Sequence, residues 1–199
     1  MTLRLSVIGT GYLGATHAAC MAELGFEVIG FDVDEAKIAL LREGRVPFYE
    51  PGLPELLAKQ VDAGRLTFTT DINEVAASAD VHFICVGTPQ KAGSFAADLR
   101  YVHSAIDSLA PLLDRECLVV GKSTVPSGTA AELAQRIAQL APGGDLVELA
   151  WNPEFLREGF AVKDTLRPER LVIGVTSEQG SGTDRRSRAG VASAALPEG

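Results

Sequence analysis

The amino-acid sequence predicts a doubly wound α/β domain, in which helices cover both faces of a mostly parallel β-sheet. The first observation is a series of short runs rich in Val, Ile and Leu, as expected of strands buried on both faces. The second is that helical patterns separate these runs, and this alternation is typical of parallel β-α-β units. Both features begin near the N-terminus and stop near Thr176, which sets the extent of the predicted fold.

The first half of the chain alternates predicted strands with predicted helices. The strands are the runs "LSVIG", "EVIGFD", "LTFTT" and "VHFICVG". The helices are "YLGATHAACMAEL", "DEAKIALLREG", "LPELLAKQVDAG" and "DINEVAASA". We expect Asp34 to cap the second helix, with Gly44 just past its end. Asp71 with Glu74 three residues later predicts a capping box at the fourth helix.

The second half continues the same alternation. The helix "DLRYVHSAIDSLAPLL" is followed by the strand "CLVVGKS" and the helix "AELAQRIAQL". Thr129 with Glu132 forms a second capping-box pattern at the start of that last helix. The runs "LVELAW" and "RLVIGV" are two further predicted strands.

Domain organisation follows from where this pattern ends. Residues 1–176 are predicted to form one domain, whereas residues 177–199, "SEQGSGTDRRSRAGVASAALPEG", contain almost no large apolar side chain. Such a segment cannot bury enough surface to offset the entropy lost on ordering, so we expect a disordered tail. Arg185, Arg186 and Arg188 could form a basic interaction patch, but charges in a structureless segment are usually just solvated.

Composition excludes several classes of function. The 199 residues are 46% hydrophobic and carry a net charge of −8, which is unfavourable for binding nucleic acid or an anionic membrane. No apolar run approaches the roughly 20 residues of a membrane-spanning helix, and no signal peptide is predicted. We therefore expect a cytoplasmic protein.

The cysteines and histidines predict structural roles. Cys20, Cys85 and Cys117 are odd in number and form no C-x-x-C pair, so they are interpreted as thiols of the core in a reducing compartment. The histidines lack metal-binding spacing, so no metal site is predicted, and they are interpreted as structural or surface residues. They are His17, His82 and His103.

The turn "GTGYLG" follows the first strand and opens the first helix, and Asp32 ends the second strand. This is the arrangement of a dinucleotide-binding Rossmann turn. Gly9 permits the tight turn, Gly11 lets the backbone approach a pyrophosphate, and Gly14 lets the helix pack closely on the sheet. Asp32 can accept hydrogen bonds from an adenosine ribose and would repel a 2′-phosphate, so NAD is favoured over NADP. The alternative is a glycine turn that serves packing alone.

Three other strand ends carry polar loops: "VGTPQ", "GKSTVPSGT" and "WNPEFLREG". Because ligands of open α/β sheets bind outside the carboxyl ends of the strands, these loops are expected to converge on one crevice. Glu154 and Glu158 would then lie where a cofactor and a second ligand meet. The alternative is that they cap a following helix and pair with Arg157 or Lys163.

Five motifs in order resemble the N-terminal half of the UDP-glucose 6-dehydrogenases, within the UDP-glucose/GDP-mannose dehydrogenase family. They are "GTGYLG", "PFYEPGL", "FICVGTP", "GKSTVPSGT" and "NPEFLREGFAVKDTLRPERLVIG". The resemblance implies NAD-dependent oxidation of the primary alcohol of UDP-glucose to the carboxylate of UDP-glucuronate, through a cysteine-bound aldehyde and a thioester. Relatives that oxidise GDP-mannose or UDP-N-acetylmannosamine share many of these residues and stay as alternatives.

The resemblance also implies roles for individual residues. The implied NAD contacts are Gly9, Gly11, Leu13, Gly14, Asp32, Lys37, Thr88, Thr124 and Glu158. The implied lining of the sugar site is Glu154, Phe155, Leu156 and Arg157. Thr124 together with Glu154 resembles the catalytic pair that positions the hydrolytic water, with Glu158 as the other candidate for the carboxylate.

The sequence departs from the family after the first domain. The family's nucleophilic cysteine lies in a "G-G-S-C-F-P-K-D"-like segment, and none of the three cysteines of this sequence lies in one. Without that thiol the chain is expected to be unable to complete the oxidation alone. The alternatives are a non-catalytic NAD-binding module and a fragment without function. A dimer is doubtful, since the family dimerises through a central helix that has no counterpart here, and residues 177–199 are expected to be non-family sequence.

Overall fold

The structure is a computed structural model that describes residues 3–94, 96–153, 156–168, 172 and 174–175. The predicted tail, residues 177–199, lies outside the described residues. So do Glu154 and Phe155, two of the residues expected at the sugar site.

The described residues form one sheet of seven strands with helices between them. The strands are β1 (Arg4–Ile8), β2 (Glu27–Phe31), β3 (Leu66–Thr69), β4 (Val81–Ile84), β5 (Cys117–Gly121), β6 (Val147–Trp151) and β7 (Gly174–Val175). The helices are α1 (Tyr12–Glu23), α2 (Glu35–Arg42), α3 (Leu53–Asp62), α4 (Ile72–Ser78), α5 (Arg100–Leu109), α6 (Thr129–Leu140) and α7 (Ala161–Leu166). Short 3₁₀ turns occupy Ala110–Leu112 and Gly144–Leu146.

The strand order is β3-β2-β1-β4-β5-β6-β7, and the first six strands are parallel. Only the short β7 is antiparallel to its neighbour β6 within the described chain. The predicted doubly wound, mostly parallel fold is therefore confirmed. Because the chain moves outward from β1 in one direction and returns to begin again at β4, the topological switch point lies between β1 and β4.

Each face of the sheet has its own apolar core. On one face, Leu5 and Val7 of β1 pack with Phe83 and with Met21 of α1 and Leu57 of α3. The core on the opposite face contains Ile8, Ile84, Val119, Ile106, Leu109, Leu133 and Ile137, with the last four contributed by α5 and α6. This arrangement explains the near-continuous apolar strands of the sequence, since both sides of each central strand are covered.

Two helix starts follow the prediction and one does not. The Asp34 carboxylate accepts a hydrogen bond from the Lys37 amide at 3.0 Å, and the Asp71 carboxylate accepts from the Asn73 amide at 2.9 Å. The Asp71 amide donates to the Thr69 hydroxyl, so the part of the predicted capping box that needed Glu74 to accept from Asp71 is not formed. The prediction that Thr129 caps α6 is wrong. Thr129 is the first helical residue, and the capping position belongs to Gly128, whose φ of +91° favours glycine.

The predicted structural roles of buried cysteines and histidines agree with their positions. All three cysteines are buried. The His82 ring lies in β4 and shares a 2.8 Å hydrogen bond with the Ser6 hydroxyl of the paired strand β1. The His17 ring packs edge-on against Phe83, with 4.5 Å between ring centres. Burial, together with the charge of Lys122, lowers the pKa of His17, so this ring is neutral at physiological pH.

Candidate functional site

A cleft of about 570 Å³ opens at the carboxyl ends of the strands, at the switch point between β1 and β4. Gly9 and Gly11 of the glycine turn form one wall, and Asp32 and Lys37 lie beside it. The cleft is also lined by Val86 and Gly87 after β4 and by side chains of α5. The cleft is therefore located where an open α/β sheet binds its ligand.

The three glycines of the turn have different surroundings. Gly9 has a φ of +89°, and a Cβ there would lie 2.9 Å from the backbone nitrogen of Val86. A Cβ on Gly14 would lie only 1.8 Å from the Gly9 carbonyl oxygen, so no side chain fits where α1 approaches the turn. Around Gly11 there is open space instead, and a Cβ added there would meet nothing within 4 Å. This pattern leaves room at Gly11 for a ligand to approach the backbone.

Asp32 lies on the rim of the cleft and is nearly buried. Its Oδ2 atom accepts hydrogen bonds from the Thr10 amide at 2.9 Å and the Thr10 hydroxyl at 3.1 Å. The Lys37 ammonium donates to the same oxygen at 2.8 Å, while Oδ1 accepts from the Asp34 amide at 3.2 Å. The carboxylate is thus fixed in orientation, with Oδ1 the less engaged oxygen.

The charge of Asp32 depends on these donors. Burial acts to raise the pKa of Asp32, but the hydrogen bond from Lys37 and those from the Thr10 and Asp34 amides outweigh it and lower the pKa. Asp32 is therefore ionised at neutral pH and able to accept from a ribose hydroxyl. The next residue, Val33, is 82% exposed and offers no charge to a 2′-phosphate. Lys37 offsets part of the repulsion that Asp32 would exert on such a phosphate.

One wall of the cleft was missed by the sequence reasoning. Helix α5 contributes Tyr101, Ser104, Ala105 and Ser108, and Ile72 at the start of α4 lies nearby. Their mixture of apolar surface and hydroxyls suits the flat, partly polar face of a nucleobase. The available signal was the amphipathic pattern of "RYVHSAIDSL", whose less apolar face carries the serines.

Two of the predicted NAD contacts from separate loops lie side by side. Thr88 follows β4 and Thr124 follows β5, and the Thr88 hydroxyl donates to the Thr124 carbonyl at 3.0 Å. The neighbouring Ser123 hydroxyl donates to the Val86 carbonyl, which joins the two loops a second time. These bonds join two of the three loops that were expected to converge. The side chain of Leu13, another predicted NAD contact, packs on the core. A contact between Leu13 and a ligand in the cleft would therefore be made by the backbone amide.

The loop after β6 begins with a buried polar anchor. The Lys122 ammonium at the end of β5 donates to the Asn152 Oδ1 atom at 2.7 Å. The Asn152 Nδ2 atom in turn donates to the Val172 carbonyl at 2.8 Å. Because both side chains are buried, these bonds hold the start of the loop against β5 firmly.

Further along this loop, Arg157 bonds an acid that the sequence reasoning did not consider. Its guanidinium donates to both carboxylate oxygens of Asp164, at 3.0 and 2.7 Å, and lies over the Phe160 ring at 5.1 Å. The alternative that Glu154 and Glu158 cap a following helix and pair with Arg157 or Lys163 stays open, since Glu154 lies outside the described residues. Leu156 is half-buried, and Glu158 is exposed on the turn before Gly159.

The acid that bonds the start of α7 is Glu50, from the "PFYEPGL" motif. Only 1% of Glu50 is exposed, and its carboxylate accepts from the Gly159 and Ala161 amides at 2.8 Å each. The Tyr12 hydroxyl of the glycine turn donates to the same carboxylate. The sequence alone assigned Glu50 no role, because a lone acid between Tyr49 and Pro51 carries no periodic signal that would reveal one.

The strand order, the glycine turn and the ionised acid at the end of β2 define a dinucleotide-binding domain of the kind that serves nicotinamide-dependent dehydrogenases. The residues on the cleft fit such a cofactor, because Gly11 leaves space beside free backbone and Asp32 presents a fixed carboxylate.

The chain belongs to the UDP-glucose/GDP-mannose dehydrogenase family, since the model of that family's NAD-binding domain matches residues 3–187. The cofactor of the domain is NAD. The match ends beyond the boundary predicted at Thr176.

Individual relatives agree with this assignment. The chain is 44% identical over 186 residues to a UDP-glucose 6-dehydrogenase of Rhizobium meliloti, covering 94% of this chain and 41% of the relative. It is 46% identical over 189 residues to the UDP-glucose 6-dehydrogenase of Pseudomonas aeruginosa, covering 92% and 41%. The chain therefore spans about two fifths of the length of these relatives.

Solved structures give the same result. A UDP-glucose dehydrogenase of Pyrobaculum islandicum superposes with a TM-score of 0.83 at 43% identity, covering 90% of this chain and 42% of that one. A GDP-mannose dehydrogenase of Pseudomonas aeruginosa, solved as a ternary complex, gives 0.85 at 36% identity, covering 94% and 44%. In the part of the chain that the structure describes, no helix is long and apolar enough to cross a bilayer, and no cluster of acids, histidines and cysteines could hold a metal ion.

Proposed function

We propose that this chain is the cofactor-binding half of an NAD-dependent UDP-glucose 6-dehydrogenase. The observation that carries the proposal is the cleft at the switch point, where Gly11 and Asp32 fit a dinucleotide beside the joined loops of Thr88 and Thr124. The named UDP-glucose 6-dehydrogenases at 44–46% identity support UDP-glucose as the sugar. Residues 1–176 would form the NAD-binding unit.

The overall reaction converts a primary alcohol, one water and two NAD⁺ into a carboxylate, two NADH and three protons. Bound NAD⁺ accepts a hydride in each of the two oxidations. In this chain, the amides of the glycine turn would bind the pyrophosphate, aided by the dipole of α1. Asp32 and Lys37 would hold the ribose, and Thr124 would contribute from the loop after β5.

The sugar side belongs to the loop after β6. Leu156 and Arg157 would line it together with Glu154 and Phe155, and either Glu154 or Glu158 would orient and deprotonate the hydrolytic water beside Thr124. The bidentate contact with Asp164 supports a fixed orientation for Arg157. A water that attacks a thioester needs a carboxylate to deprotonate it, because neutral water is a weak nucleophile.

The thiol of the thioester would have to come from outside the 199 residues. Cys20 is buried against α7, with its sulfur 3.8 Å from the Val162 carbonyl, and burial raises its pKa to about 12. Such a thiol holds its proton at neutral pH and is a poor nucleophile. Cys85 and Cys117 are also buried, and neither lies in a segment like that of the family's nucleophile.

The burial of all three cysteines favours one second candidate, a non-catalytic NAD-binding module. Calorimetric titration with NAD and an NADH absorbance assay with UDP-glucose test the proposal on the chain itself. We expect saturable NAD binding without sustained NADH production. Sustained production by the chain alone would contradict the external thiol, and no binding of NAD would contradict both candidates.

A chimaera separates the two candidates. Residues 1–176 are joined to the remaining part of the Rhizobium meliloti relative, and NADH production is measured with UDP-glucose and with GDP-mannose. The cofactor-half proposal predicts turnover of UDP-glucose that Asp32→Asn reduces, with GDP-mannose much slower. A folded chimaera that binds NAD without turnover would favour the module, and preference for GDP-mannose would identify a different nucleotide sugar.

A further inference from the structure

A buried carboxylate joins three segments that are distant in sequence. Glu50 accepts from the Tyr12 hydroxyl, 38 residues away, and from the Gly159 and Ala161 amides, 109 and 111 residues away. Only 1% of Glu50 is exposed, so water does not compete for these bonds. Charge-assisted bonds of this kind are about twice as strong as neutral ones, and they fix the partners' relative positions.

The groups around Glu50 keep these bonds formed at neutral pH. Burial, followed by the hydrogen bond to Glu50, raises the pKa of Tyr12 to about 12, so the hydroxyl keeps its proton and donates. Burial acts to raise the pKa of Glu50, but the bonds from Tyr12 and from the amides of residues 159, 161 and 162 outweigh it and lower the pKa. The carboxylate is therefore ionised and accepts from both sides.

The two sides belong to different parts of the site. Tyr12 is the first residue of α1 and lies within the glycine turn, between Gly11 and Leu13. The amides on the other side follow directly after Arg157 and Glu158. Glu158 is itself close enough to Tyr12 to raise the pKa of its hydroxyl. The Tyr12 ring also packs on Phe48, 5.4 Å between centres, which ties it twice to the loop that carries Glu50.

We propose that Glu50 is a positioning residue that couples occupation of the glycine turn by NAD to the placement of residues 156–161 at the sugar side. The inference rests on the proposed function and adds the connection between its two subsites. A ligand that fixes the turn fixes Tyr12, and through the shared carboxylate it restrains the Gly159 and Ala161 amides. Coupling of this type is reciprocal, so a fixed loop also favours the NAD-binding arrangement of the turn.

Hydrogen exchange of the 199-residue chain, measured with and without saturating NAD, tests the coupling. In the wild-type protein NAD slows exchange at Gly159 and Ala161 by roughly tenfold, as expected for restraint of a bond to a charged group. Tyr12→Phe keeps the two amide bonds but removes the link, so exchange without NAD stays close to wild type and the NAD-induced slowing is lost. Glu50→Gln speeds exchange at both amides even without NAD.

Matched controls isolate the link from general effects of substitution. Tyr49→Phe changes a neighbouring tyrosine that is 83% exposed, and Glu55→Gln changes an exposed acid in the first turn of α3. Both keep the wild-type response to NAD. The proposal is overturned if Tyr12→Phe, shown by calorimetry to bind NAD, still transmits the full slowing to Gly159 and Ala161. Absence of NAD binding by the wild-type chain would instead contradict the proposed function.

Discussion

The glycine turn, residues 9–14, and the described part of the loop after β6, residues 152–153 and 156–160, lie at the same edge of the sheet but are held by different contacts. The conformation of the turn is set first by its glycines, since Gly9 takes a positive φ and Gly14 sits against the Gly9 carbonyl. The described part of the loop is held by side chains from elsewhere: Lys122 at its start, and Glu50 and Asp164 towards its end. The shape of the turn thus depends on its glycines, with long-range bonds to Asp32 and Glu50 added to them, whereas the described part of the loop depends mainly on polar side chains.

Gly14→Ala gives the largest expected effect and tests the local geometry of the turn. Its methyl would lie 1.8 Å from the Gly9 carbonyl oxygen, and that clash is with backbone, which cannot move aside cheaply. We expect a loss of about 3 kcal/mol or more in the free energy of unfolding, measured by urea denaturation. Gly11→Ala is the matched control, because the added methyl meets nothing within 4 Å. Equal stability losses in the two variants would contradict the different roles assigned to the glycines.

Glu50→Gln probes the other region, where one carboxylate holds the loop. We expect a loss of about 1.5–3 kcal/mol in unfolding free energy at pH 7. The carboxylate is replaced by an uncharged amide, whose NH₂ group cannot accept the hydrogen bonds that one carboxylate oxygen accepted. The pKa of Glu50 is below its ordinary value of 4.5 in the folded protein. Its stabilisation is therefore complete above the ordinary pKa and declines as pH falls through the folded pKa. Urea denaturation from neutral pH down to about pH 3 is expected to show a smaller loss on acidification in Glu50→Gln than in wild type.

Asp32→Asn tests the affinity for NAD of the site beside the glycine turn. The variant loses charged hydrogen bonds to the ribose, so NAD binding measured by calorimetry is expected to weaken by about 1–3 kcal/mol. The Asn oxygen can still accept from the Thr10 amide, so the turn keeps part of its bonding. An affinity equal to that of wild type would mean that Asp32 does not face the cofactor.

Asp164→Asn has the smallest expected effect. The Arg157 side chain is 61% exposed, so its bidentate pair with Asp164 is screened by water. We expect the free energy of unfolding to change by about 1 kcal/mol or less. A loss comparable to that of Glu50→Gln would show that the exposed pair, and not the buried carboxylate, holds the loop.

The same contrast explains what the sequence could predict. The strands, the helices and the positions of Gly9, Gly14 and Asp32 follow from periodicity and from conformational demands of single residues. The capping prediction at Thr129 failed because Gly128, with its positive φ, already ends the preceding turn. These are local properties of the chain, so they can be predicted from the amino-acid sequence.

The contacts that hold the loop after β6 could not be read in this way. Glu50 meets Gly159 and Ala161 only after the whole sheet has formed, and Lys122 meets Asn152 only across paired strands. The wall of the cleft formed by α5 depends likewise on how that helix is turned towards β4. The strand ends predicted that polar loops lie at one edge of the sheet, but the partners of their side chains are set by tertiary packing and could not be assigned.

The most direct test of the central claim compares calorimetric titrations of the chain with NAD and with NADP under identical conditions. The fixed carboxylate of Asp32, next to the uncharged Val33, predicts saturable binding of NAD and clearly weaker binding of NADP. Equal affinities for the two nucleotides, or no saturable heat with NAD, would contradict the assignment of this cleft as an NAD site built on the glycine turn and Asp32.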